Sequence, residues 1–85
     1  MATAAPQYLP APSDQSAVVI HDDGRTEHAL VIAYRIDGAD LVPVTYPAAG
    51  VGDRIAVHTG GTTLHLHGDR REYNTLSQIL EALGQ

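Results

Sequence analysis

Apolar and polar positions alternate most regularly on the two sides of Gly60-Gly61. Segments 54–59 and 62–67 each repeat every two residues, as expected for β-strands with one covered face. A pair of glycines between two such segments is typical of a two-residue hairpin turn. We therefore predict a hairpin that turns at Gly60-Gly61 and sets Val57 opposite Leu64.

Two Asp-Gly pairs, Asp23-Gly24 and Asp37-Gly38, indicate further hairpins earlier in the chain. Tight hairpin turns need residues that accept positive φ, which Asp-Gly does. The predicted strands around these turns are 17–20, 26–36 and 41–45. Pairing across Asp37-Gly38 sets Arg35 opposite Asp40, a favourable ion pair. Because Pro43 has no N–H to donate to a ladder, we predict that the strand containing it has a free edge.

The end of the chain has the pattern of one short helix. Its apolar residues recur at the i, i+3, i+4, i+7 spacing of a single helical face; they are Leu76, Ile79, Leu80 and Leu83. Thr75 and Gln78 have the spacing of a capping box, and Gly84 stands where a glycine ends a helix. A helix this short is not stable alone, so we expect its apolar face to pack on the sheet.

The first sixteen residues differ in composition from the rest of the chain. They are rich in alanine, proline and small polar residues, and Tyr8 and Leu9 are the only bulky apolar side chains among residues 2–16. Such a composition favours disorder. We therefore predict a disordered tail over residues 1–16 and a single domain over residues 17–85.

These elements predict an α+β fold. The expected architecture is an antiparallel meander sheet of about five strands with one C-terminal helix packed on it. The alternative is a small SH3-like or OB-like barrel capped by the helix.

The composition limits the core of this domain. The chain has 85 residues and contains no cysteine, phenylalanine or tryptophan. The core is therefore aliphatic and small, without disulfides to support it. Such a domain gains stability from a second copy or a protein partner, and we expect one or the other. The absence of cysteine fits a cytoplasmic location.

The charge balance argues against two classes of partner. The chain has ten acidic residues and five arginines, for a net charge of −5. Binding to a phosphate backbone needs a basic surface instead. No apolar run approaches the ~18 residues of a membrane span. The N-terminus lacks the basic and apolar regions of a secretory leader. We predict neither nucleic-acid nor membrane binding.

The residues of common catalytic sites are missing. Without lysine the chain has no P-loop lysine and no Schiff base, and without cysteine it has no thiol nucleophile. None of the three serines lies in a Gly-x-Ser-x-Gly elbow. We therefore predict that the protein is not an enzyme and needs no cofactor.

Histidines supply the one candidate metal site. His65 and His67 lie two apart on a predicted strand, and the Gly60-Gly61 turn adds His58 to the same face. Three imidazoles on one ribbon could bind zinc. The simpler interpretation is a solvated outer face, because the same register sets Arg54 beside the proposed cation.

Three functions are compatible with these observations. The first is a small non-enzymatic protein-interaction or regulatory module. Its predicted partner-binding residues lie on or beside the free-edge strand: Leu41, Pro43, Tyr46 and Val51. The second is a metal-binding protein that uses the 54–67 hairpin. The third is a small acidic inhibitor that imitates nucleic acid, of the kind that mobile elements encode.

Overall fold

The fold is seen in a computed structural model, which describes residues 7–12, 15–59 and 63–84. Its strands are β1 (Gln7–Pro10), β2 (Ser16–Ile20), β3 (Thr26–Asp37), β4 (Asp40–Tyr46), β5 (Arg54–Thr59), β6 (Thr63–Leu66) and β7 (Glu72–Tyr73). One helix, α1 (Leu76–Ala82), follows them. The described strand pairs are all antiparallel. The predicted α+β class, an antiparallel sheet with one C-terminal helix packed on it, is confirmed.

Strand order departs from a simple meander at two places, after β4 and at β1. Leu30 of β3 pairs with Ser16 of β2 and with Tyr46 of β4, so β2 and β4 lie on opposite edges of β3. After β4 the chain crosses to β5, which pairs with β2 rather than with β4. The order is therefore β4-β3-β2-β5-β6-β7, with β1 beside β3 beyond the end of β2.

The prediction of a disordered tail is wrong for residues 7–10, which form β1 against β3. Strand β3 has twelve residues and β2 only five, so one edge of β3 extends past β2. β1 pairs with that edge. Gln15, just before β2, also bonds to β3. Its backbone carbonyl accepts from the Val31 N–H at 3.0 Å, and its side chain accepts from the Tyr34 hydroxyl at 2.7 Å. Backbone pairing thus orders a segment whose own side chains are exposed.

The core has a layer on each side of the sheet, as the two-residue period of the strands requires. On the helix face the buried residues are Val18, Ile20, Ala56, Leu64, Leu66, Tyr73 and Ile79, with Leu76, Leu80 and Leu83 packed against them. On the opposite face, called here the cleft face, they are Ala17, Val31 and Val57, with Ala11, Tyr34 and Ile55 beside them. Two thin layers therefore share one sheet.

Helix α1 has the predicted cap. The Thr75 hydroxyl accepts from the Gln78 backbone N–H, and the Gln78 side chain accepts from the Thr75 N–H in return. Gly84 follows the helix with φ +78°, which a glycine adopts without strain. Ile79 is completely buried at the centre of the helix contact. Among the described residues, no helix has the length and apolar content needed to cross a membrane.

The hairpin between β3 and β4 has a different register from the one predicted. Asp37 pairs with Asp40, and Arg35 pairs with Val42 instead of Asp40. The turn is Gly38-Ala39, one residue later than expected, and Gly38 has φ +61°. The predicted ion pair across the ladder is therefore wrong, because the turn lies one position further along the chain.

Candidate functional site

The β5–β6 hairpin decides where the histidines lie. Thr59 pairs with Thr63, so three residues, 60–62, connect the strands instead of the two expected at Gly60-Gly61. The connection itself lies outside the described residues. Val57 is consequently opposite His65, not Leu64. A shift of one residue in register reverses which side chains share a face.

The predicted zinc site of His58, His65 and His67 is therefore wrong as a single cluster. His58 pairs with Leu64, whose side chain belongs to the helix-face core, whereas His65 pairs with Val57 on the cleft face. His67 lies two residues after His65, and its N–H donates to the Ile55 carbonyl at 2.8 Å. Within the described part of the chain, no three His, Cys, Asp or Glu side chains are grouped closely enough to hold a metal.

His65 and His67 instead line a cleft on the cleft face. The sheet curls so that β4 faces β5 and the turn after β6, and the cleft between them has a volume of about 500 Å³. Tyr34, Pro43 and Val57 form its apolar walls. Burial raises the pKa of the Tyr34 phenol, whose hydroxyl donates to Gln15. The sheet approaches a barrel there, but no described strand pairs with the outer edge of β4.

The acidic side chains at the rim of the cleft already have partners within the protein. Asp40 lies 3.6 Å from the Nε2 atom of His67. Asp69 accepts from the Arg71 guanidinium at 3.0 Å and from the Tyr73 hydroxyl at 2.7 Å. The hydrogen bonds from Arg71 hold the pKa of the Asp69 carboxyl well below its usual range. These contacts fix the turn after β6.

A second polar cluster holds the loop between β4 and β5. The Nδ1 atom of His21 lies 3.2 Å from Asp53, and its Nε2 atom lies 3.5 Å from Glu27. The Gly50 N–H donates to Asp53 at 2.8 Å and lowers the pKa of that carboxyl. His21 follows β2 directly, so these contacts tie the loop to the β2–β3 hairpin and give the cluster a structural role.

Large apolar side chains are exposed at one end of the sheet. Four of them make up what we call the outer patch: Tyr8, Leu30, Ile32 and Tyr46. Their exposed fractions are 55% for Tyr8 and Leu30, 57% for Ile32 and 71% for Tyr46. Leu30 and Tyr46 are cross-strand partners on the helix face, which Ile32 shares by the alternation along β3. An irregularity in the β3–β4 pairing between Val31 and Ala33 then reverses the alternation, so that Tyr34 lies on the cleft face and Arg35, with its partner Tyr8, lies on the helix face. No residue of β1, β3 or β4 belongs to the described core cluster that α1 covers.

The four predicted partner-binding residues do not form one surface. Pro43 is buried. Leu41 pairs with Ile36 on the cleft face, whereas Tyr46 pairs with Leu30 on the helix face. Val51 is fully exposed in the loop between β4 and β5.

The sequence interpretation missed Leu30 and Ile32. Their strand is apolar on both faces, as an internal strand covered on both sides would be. The available signal was the length of the helix, since two turns cannot cover a wide sheet.

Comparisons with protein-family models, curated proteins and solved structures found no match to this chain. Its function must therefore be inferred from its own surfaces. The outer patch and the cavities along β4 are the features that the core does not explain.

Proposed function

We propose that this protein is a small non-enzymatic interaction module whose protein partner covers the outer patch. The observation that carries the proposal is the distribution of exposed apolar side chains. Within the described residues, the exposed large hydrophobic side chains lie on β1, β3, β4 and the loop after β4. Several large apolar side chains exposed on neighbouring strands are typical of a contact site.

The geometry of the sheet explains why this surface is open. Helix α1 has seven residues, so it is about 10 Å long and about 10 Å across. Six strands side by side span roughly 24 Å at about 4.8 Å per strand. One short helix therefore spans about half of the width of the helix face, and β3 and β4 remain without a covering layer.

A partner is expected to pack against the face of the sheet rather than extend its edge. β4 is the edge strand next to the outer patch, and Pro43 at its centre has no N–H. An added strand would lose a ladder hydrogen bond there. Prolines on edge strands commonly protect them against unwanted pairing. Side-chain packing on Leu30, Ile32 and Tyr46 meets no such obstacle.

The size of the patch sets the expected affinity. Covering four such side chains removes roughly 400 Å² of apolar surface from water, which contributes on the order of 10 kcal/mol. Lost translational, rotational and side-chain freedom offsets about 4–15 kcal/mol of this. We therefore expect a transient complex, with a dissociation constant in the micromolar range or weaker.

The test compares exposed aliphatic side chains on opposite faces of the sheet. The double variant Leu30→Ser, Ile32→Ser removes half of the outer patch, and Leu41→Ser is the matched control on the cleft face, where the leucine is 47% exposed. Cross-linking in the native host followed by mass spectrometry identifies the partner. Light scattering over a range of concentrations shows whether it is a second copy.

We expect the double variant to lose the partner while Leu41→Ser keeps it. Circular dichroism checks that both variants stay folded. Equal capture of the partner by the double variant and the wild type would refute the proposed contact surface. Equal loss in both variants would assign the effect to general surface hydrophobicity.

A further inference from the structure

The five arginines divide into two groups by their contacts. Arg25 bonds Asp23 at 2.7 Å and Arg71 bonds Asp69 at 3.0 Å, each within its own turn. Among the described residues, Arg35, Arg54 and Arg70 have no ion-pair partner, although acids outnumber arginines two to one. Arg35 is also half-buried. The unpaired arginines are therefore not explained by the fold.

Two of these unpaired arginines line the same cavity. It has a volume of about 480 Å³ and lies beside β4, between that strand and the segment that leads into β5. Arg35 comes from β3 and Arg54 from the start of β5, so residues nineteen positions apart meet there. His67 lines it as well. Its apolar walls come from Val42, Val44 and Ile55.

The one acid among the described residues of this cavity is already engaged. Asp53 accepts from the Gly50 N–H at 2.8 Å through one oxygen, and its other oxygen lies 3.2 Å from His21. Two arginines and one occupied aspartate therefore line the cavity, in a chain of net charge −5. Arg54 also borders a smaller cavity beside Asp22. The neighbouring cleft has the opposite balance, with Asp40 and Asp69 against Arg70.

We infer that the cavity lined by Arg35 and Arg54 binds a small organic anion, a carboxylate or a phosphate attached to an apolar body. Guanidinium groups match the geometry of both oxyanions and bind them through paired N–H donors. The valine and isoleucine walls suit the apolar body. A volume of about 480 Å³ falls within the ~300–1,000 Å³ of small-molecule sites. None of the four residues of the outer patch lines this cavity, although Tyr8 is the cross-strand partner of Arg35, so the inference does not rest on the proposed function.

The test uses three probes of similar shape: benzoate, phenyl phosphate and the neutral benzyl alcohol. Amide chemical shifts are followed by NMR while each probe is added to the full chain at millimolar concentration. We expect saturable shifts along β4 and around Arg54 with the anions and none with the alcohol. The tighter of the two anions identifies the head group.

Arginine variants separate this site from general charge attraction. Arg35→Gln and Arg54→Gln each remove one cation from the cavity, and we expect each to weaken anion binding at least about tenfold, as loss of a charged hydrogen bond does. Arg70→Gln is the matched control, because Arg70 is also unpaired but lines only the neighbouring cleft. We expect it to change the affinity less than about twofold, because Arg70 lies in the neighbouring cleft and a charge there is screened from the cavity. Absence of saturable shifts with both anions, or equal weakening by Arg70→Gln, would overturn the inference.

Discussion

Replacing Ile79 by alanine tests whether the helix-face core stabilises the whole domain. Ile79 is the only described helix residue that is completely buried, and its neighbours in the core include Leu64, Leu66 and Tyr73. Alanine keeps the helical propensity high but leaves a cavity between the helix and the sheet. The substitution therefore isolates packing from helix formation.

The expected effect is large for a domain of this size. Removing the isoleucine side chain from a closed site costs about 2–5 kcal/mol. An 85-residue domain has a free energy of unfolding of roughly 4–13 kcal/mol. At about 4–8 °C per kcal/mol for such domains, Ile79→Ala should lower the Tm by more than roughly 10 °C. Ile79→Val should cost only about 0.5–1.5 kcal/mol.

Thermal unfolding followed by far-ultraviolet circular dichroism measures these shifts. Glu81→Ala is the control, because Glu81 lies on the exposed side of the same helix and its loss should shift the Tm by less than a few degrees. A fully unfolded Ile79→Ala variant agrees with the argument, and Ile79→Val then supplies the readable shift. An Ile79→Ala variant as stable as Glu81→Ala would show that the helix does not hold this core together.

Three further predictions concern the helix cap, the N-terminal strand and acid. Thr75→Ala should lower the free energy of unfolding by about 1 kcal/mol, measured by denaturant titration, whereas Thr75→Ser should restore it. Removal of residues 1–15 should lower the Tm by several degrees more than removal of residues 1–6, because only the longer deletion removes β1 and its pairing with β3. In the folded protein, the pKa values of Asp53 and Asp69 lie below the ordinary 3.8. The stability that the two carboxylates contribute is therefore complete above pH 3.8 and is lost as the pH falls through their folded-state pKa values. The free energy of unfolding should therefore fall less steeply with decreasing pH in Asp69→Asn than in the wild type, and identical curves would contradict the assignment.

Local signals in the sequence predicted strands β2 to β6, helix α1 and the fold class. The Thr75 and Gln78 spacing, the apolar period around Ile79 and the position of Gly84 describe interactions within one helix. Neighbouring residues determine those interactions, so reading the chain locally is enough. The same holds for the hairpins, whose strands pair with their neighbours in sequence.

Registers were harder to predict than elements. The β5–β6 connection has three residues instead of two, and the β3–β4 turn begins at Gly38 instead of Asp37. Either turn is acceptable to the local backbone. The register is decided by which side chains each face of the sheet must bury. In the β5–β6 hairpin, Leu64, Leu66 and Ala56 are buried together in the core on the helix face. His58 and His65 are separated as a consequence.

By itself, the sequence determined five of the seven described strands (β2 to β6), the capped helix, the fold class and the thinness of an aliphatic core. The tertiary structure decided that β5 lies beside β2, that residues 7–10 complete the edge of β3, and that Arg35 and Arg54 share a cavity. It also decided that Leu30 and Ile32 stay uncovered. These outcomes depend on contacts between distant segments and on the width of the sheet relative to the helix. Periodicity shows which face of a strand is apolar, but only the packed molecule shows whether anything covers it.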